Sequence, residues 1–183
     1  MGVIAPAGRL AHASGHRAVR IVMSLRITMF AMLACSAAGA VAAPTPEALI
    51  REIAAQGPRV VLARLWNDQP QFESVCKRIE SGDRRWLEVA RLLKPASDAA
   101  SSLSLNYSVA RAIPRAPGHV LALIGNGFTV SDVCTSPYIE PEPGVAENYQ
   151  SRAAAALAKV TDSKLAGVKS ACLAGIGAPL AQR

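Results

Sequence analysis

Aromatic side chains make up only 4% of this 183-residue chain. Past residue 42 they are Trp66, Phe72, Trp86, Tyr107, Phe128, Tyr138 and Tyr149. A β-sandwich draws on β-branched and aromatic strands, so this scarcity, set against abundant Ala and Leu, predicts close-packed helices. Histidine is scarcer still: past residue 42 His119 stands alone, and any Ser-His-Asp or Cys-His site has to use it. The chain has no C-x-x-C, G-x-S-x-G, Walker loop or H-E-x-x-H, which removes the redox, hydrolase, nucleotide and zinc-protease motifs. It also has no basic run with interleaved aromatics, so no nucleic-acid partner is expected. No cofactor and no metal ligand set is expected either.

What is present begins with residues 23–43, MSLRITMFAMLACSAAGAVAA. Arg26 supplies a positive start, residues 27–38 an uncharged apolar stretch, and Gly39-Ala40-Val41-Ala42 an A-x-A cleavage site. A membrane anchor needs about 20 predominantly apolar residues. This run is shorter, is diluted by Thr28 and Ser36, and ends in small residues without a charged stop. The expectation is therefore a secretion signal at 23–42 cut after Ala42, with membrane contact only in transit and a periplasmic or secreted product. Cutting after Ala43 would leave Pro44 at the scissile bond. Cys35 follows Met32-Leu33-Ala34, a weak match to a lipobox, which wants Leu three residues before the cysteine. Residues 1–22 precede a second methionine with a complete signal behind it, and read as an extension from a start assigned too far upstream.

Removing 1–42 takes away Arg9, Arg17, Arg20 and Arg26 and no acid. The charge falls from +7 to +3, since 16 basic and 13 acidic residues remain. Residues 43–183 are long enough to form one domain with its own core.

Helix signals cover most of that domain. Thr45 caps a first helix with Pro46 at its first position and a stripe of Leu49, Ile50 and Ile53, ended by Gly57-Pro58. A second helix is predicted at 58–66 and a third at 71–80, where Phe72, Val75, Cys76 and Ile79 recur at i, i+3, i+4 and i+7. Asp83 caps a fourth. Trp86, Leu87, Val89, Ala90 and Leu93 form its inner face, and Arg84, Arg85, Glu88, Arg91 and Lys94 its outer one. Helices at 97–113 and 119–124 follow. In 128–144 a single turn around Ser131-Asp132 gives way to Pro137, Pro141, Pro143 and Gly144, which forbid regular structure. Helices at 145–160 and 163–176 close the chain as a hairpin. The fold class is all-α. Residues 61–65, 89–93 and 120–124 echo one another at spacings of 28 and 31. Their spacing resembles a short HEAT-like stack of helical hairpins, the alternative to a plain bundle.

Export places the cysteines in an oxidising compartment. Cys134 lies in a stretch poor in core residues and Cys172 on the inner face of the last helix, so these two are the expected disulfide. Cys76 is then left as a buried thiol. Glu140 and Glu142 lie in an extended Pro-rich stretch that reads as a solvated rim. With Tyr138 and Ile139 beside them they also form a candidate partner-facing edge. The basic cluster Lys77, Arg78, Arg84, Arg85, Arg91 and Lys94 reads as a salt-bridged face, with Glu80–Arg84 and Arg84–Glu88 as i,i+4 pairs. Arg84, Arg85 and Arg91 are its candidate partner contacts. Asn106-Tyr107-Ser108 matches a glycosylation sequon.

The expected function is therefore a small exported binding protein with an unidentified protein partner and no catalytic constellation. An immunity or inhibitor protein against an envelope or cell-wall enzyme is the alternative. An enzyme using His119, or the Glu140/Glu142 pair, is the remaining class.

Overall fold

A computed structural model describes residues 44–177; the expected secretion signal at 23–42, its expected cleavage site and residues 1–22 lie outside the described residues. Among the described residues there are nine α-helices. They are α1 (Pro46–Gln56), α2 (Pro58–Asn67), α3 (Gln69–Ile79), α4 (Arg84–Leu93) and α5 (Ala99–Ala112), then α6 (Pro117–Leu121), α7 (Val130–Val133), α8 (Val145–Ala158) and α9 (Ala166–Gly177). Two 3-10 turns, Lys94–Ala96 and Ser163–Leu165, extend α4 and lead into α9. The all-α class is as the sequence predicts, and a bridge between Ile124 and Phe128 is isolated, outside any strand.

Local chemistry starts most of the helices. The Thr45 hydroxyl accepts the Ala48 amide at 3.2 Å and Pro46 fills the first position of α1. Gly57 then adopts φ +84°, a left-handed turn that any L side chain would strain, and lets Pro58 begin α2 at once. Asp68 caps α3, Asp83 caps α4, and Asp98 with Ser101 forms a reciprocal capping box on α5. Two boundaries fall earlier than periodicity predicts. Helix α3 begins at Gln69 and α6 at Pro117, because proline is accommodated in a first turn whose amides have no intrahelical acceptor.

Helix α4 is the hub of the packing. It touches α1, α2, α3, α5 and α6, and Val89, Ala90 and Leu93 are fully buried there. The core continues through Leu65, Ile79, Leu105 and Ile113 to Phe128, then to Leu157 and Ile176 of the terminal pair. Helix α9 packs on both α8 and α7. A disulfide between Cys134 and Cys172, with Cα atoms 4.9 Å apart, ties the segment after α7 to α9. The first two echoing segments fall inside α2 and α4, which pack together. The third begins at the end of the five-residue α6.

Candidate functional site

The proline segment is anchored at its base and bare at its tip. Thr129 caps α7 and exchanges hydrogen bonds with Asp132. After Cys134 the chain runs through buried Ser136 and Pro137 to Tyr138. The Tyr138 ring meets Tyr149 of α8 edge to face at 5.8 Å, within the range where such pairs are favourable. The Arg111 guanidinium lies 5.1 Å from the Tyr138 ring centre and donates to the Pro137 carbonyl at 2.7 Å. Tyr138 is therefore half-buried and not a free anchor. Ile139, next along, is 69% exposed. Glu140 has φ +44°, a strained value for a residue with a Cβ, and Glu142 is exposed two residues on.

Beside this base lies an open cleft of about 540 Å³. Lys77 of α3, Arg111 of α5, Arg115 beyond α5 and Arg152 of α8 all reach it, and Glu80 is the one carboxylate in its lining. The Glu80 carboxylate accepts from Lys77 Nζ and from Arg111, each at 3.1 Å. Arg115 reaches only the Glu80 carbonyl, at 3.4 Å, and Arg152 makes no hydrogen bond or ion pair among the described residues. Four cations against one anion leave the lining at +3. The Tyr149 hydroxyl donates to the Ala110 carbonyl at 2.9 Å, and burial drives its pKa well above the usual tyrosine range. Tyr149 thus fixes the wall and does not exchange protons near neutrality.

The basic cluster of the sequence is dispersed. Lys77 belongs to the cleft just described, and Arg85 of α4 pairs with Glu47 of α1 at 3.3 Å. Arg84 and Arg91 line a second depression of about 330 Å³ together with Glu88, His119 and Asn126. The expected i,i+4 pairs of Arg84 do not form. Glu80 turns instead to Lys77 and Arg111, and Glu88 to Arg91 at 2.6 and 2.8 Å. The bidentate hydrogen bonds from Arg91 hold the Glu88 carboxyl below its ordinary pKa. His119 is exposed, its Nδ1 3.3 Å from the Gly82 carbonyl, and no hydroxyl or thiol lines this depression.

Lys94 departs from its expected outer position. Its ammonium donates to Ser102 and Asn106, each at 2.6 Å, lies 3.4 Å from Asp132, and sits over the Phe128 ring at 5.4 Å. The Asn106 amide donates in turn to Asp132 at 2.8 Å. This knot joins α4, α5 and α7, and it occupies the amide that the sequon would offer for glycosylation. Burial would raise the Asp132 pKa. Hydrogen bonds from the Thr129 amide and hydroxyl, and the Lys94 charge, outweigh it and hold the carboxyl below its usual value.

Cys76 is half-buried rather than fully enclosed, beside Tyr107 and Ser108. Burial is the main cause that pushes its thiol up to about 11, against a smaller opposing hydrogen bond with Ser108. Among the described residues no cluster of three or more His, Cys, Asp or Glu side chains is placed to hold a metal ion. No helix among them is long and apolar enough to cross a membrane.

Arg111, Arg115 and Arg152 were not candidates in the sequence. Arg111 and Arg115 are four residues apart, but Lys77 and Arg152 stand more than 30 residues from either, and only tertiary packing gathers the set. The nearest local signal is Arg115, framed by Pro114 and Pro117 in the short link between α5 and α6. No protein-family model matches this chain, and neither a curated protein nor a solved structure does.

Proposed function

We propose that the protein is an exported binding protein that takes a protein partner on the face where the proline segment meets the cationic cleft. The observation that carries this reading is the convergence of Lys77, Arg111, Arg115 and Arg152 around one carboxylate, beside an exposed Ile139. Charge that the fold leaves unneutralised and an apolar tip on an anchored loop are the parts a specific interface uses for steering and for burial. Export rests on the signal at 23–42, and a disulfide is the bond an oxidising compartment sustains.

An inhibitor of an envelope enzyme is the second reading. It is favoured by the stiffness of the presenting segment: prolines at 137, 141 and 143, the Tyr138–Tyr149 contact, and the disulfide at its base. A pre-stiffened loop loses little entropy when it docks.

The test is capture from an envelope extract by the purified protein, beside an Ile139→Ala/Glu140→Ala/Glu142→Ala variant. A partner held by the first and lost by the second is expected; equal capture by both sinks the assignment of the face. N-terminal sequencing of the protein from the periplasmic or extracellular fraction is expected to begin at Ala43. A chain found intact from Met1 in the cytosol refutes export.

A further inference from the structure

We infer that the cleft between α3, α5 and α8 receives an acidic peptide segment of the partner, with carboxylates on Arg115 and Arg152 and an apolar side chain toward Ile139. The inference rests on the reading of this face as a protein-binding surface and names the chemistry of what binds.

The cleft already shows how it holds a carboxylate. Glu80, its one internal acid, is gripped from two sides by Lys77 and Arg111. That grip leaves two guanidinium groups on the same opening without a carboxylate. Arg115 has only a long bond to a backbone carbonyl, and Arg152 has no partner among the described residues. Guanidinium forks match carboxylates in pairs, so the uncommitted pair selects planar anions.

The remaining lining decides between peptide and a bare anion. An inorganic ion fills only a small part of about 540 Å³, a volume in the range of sites that enclose organic ligands. Tyr138, Pro143 and Val145 supply apolar wall along one side, and Val145 and Ile139 are 39% and 69% exposed. The cleft is open, so a chain passes across it without either end being enclosed. Acid and apolar side chains alternating on one segment satisfy both halves of the lining.

The probe is a short fluorescein-labelled peptide of Glu and Asp around a central Leu-Phe pair, titrated by anisotropy into the protein produced from the full-length chain. Binding is expected to weaken as salt shortens the screening length from about 10 Å at 0.1 M to about 3 Å at 1 M. An Arg115→Ala/Arg152→Ala variant is expected to bind about tenfold more weakly, as two exposed charge contacts are lost. Both side chains are exposed and neither closes an ion pair, so the variant is expected to fold. Arg51→Ala, on an exposed position of α1 outside the cleft, is the control and is expected to leave affinity unchanged. Equal affinity of the double variant, or no binding of the peptide, overturns the inference. So does pyrophosphate or a phosphatidylglycerol vesicle binding through Arg115 and Arg152 where the peptide does not, since the cleft is then a phosphate site. If the peptide fails while capture from extract still depends on Ile139, the binding reading stands and only the acidic segment falls. If capture fails too, both fall.

Discussion

Replacing Cys134 and Cys172 together by alanine opens a cross-link between positions 38 residues apart. Closing a loop of that length in the unfolded chain removes entropy worth about 4 kcal/mol at room temperature. Unfolding entropy runs at about 2.1 cal/mol/K per residue. Over residues 44–177 that sums to about 0.28 kcal/mol/K, so the variant should melt about 14 °C lower. Both sulfurs are buried, Cys134 at 2% and Cys172 at 0% exposure, and deleting them adds about 1 kcal/mol of lost packing. Comparing the variant with reduced wild type separates the two contributions, since the reduced protein keeps both sulfur atoms. The assays are thermal and urea unfolding followed by far-UV circular dichroism. The folded signal should be unchanged, because the cross-link acts mainly on the unfolded ensemble. The urea slope should rise as the freed chain expands. A melting shift under about 4 °C, or loss of helix before melting, would refute the reasoning.

Other perturbations follow from single contacts. A Cβ on Gly175 would lie 2.5 Å from the Cys134 carbonyl oxygen, so Gly175→Ala should push α9 off the α7 end and cost about 1–3 kcal/mol in urea unfolding; an unchanged midpoint refutes the close approach. The Asp132 pKa is depressed in the fold, so its contribution is complete above the unfolded value of about 3.9 and is lost as pH falls through the lower folded value. Asp132→Asn should therefore flatten the acid end of the stability profile, and a profile parallel to wild type would count against the Lys94 knot. With its pKa raised to about 11, Cys76 should alkylate with iodoacetamide at pH 8 about 100-fold more slowly than a free cysteine; a rate near that of the free amino acid would contradict its burial.

The fold was largely legible because its signals are local. The Thr45, Asp83 and Gly57 termini follow from side-chain and backbone chemistry within a few residues, and the stripe of α4 from 3.6-residue periodicity. The disulfide was legible too, since one cysteine had little core around it and the other lay on an inner helix face. Lys94 was misplaced because it stands just past the end of α4, where the chain tightens into a 3-10 turn and helical phase no longer fixes direction. The cleft was not legible. Its cations come from α3, α5, the link after α5, and α8, and no spacing rule relates position 77 to 111, 115 or 152. The packing of Tyr138 on Tyr149 was not legible either, because sequence shows a residue's neighbours along the chain and not the ring across from it.

The bond between Cys134 and Cys172 makes residues 134–172 a covalent ring. That ring contains the proline segment, all of α8 and hence Tyr138, Tyr149 and Arg152 of the cleft. A protease that cuts the bare stretch at 139–144 does not divide the molecule, because each new end remains tethered through sulfur. Such a nicked protein runs as one chain until it is reduced, and its cleft walls stay within reach of each other. The exposed proline segment is thus one whose breakage the molecule survives in one piece.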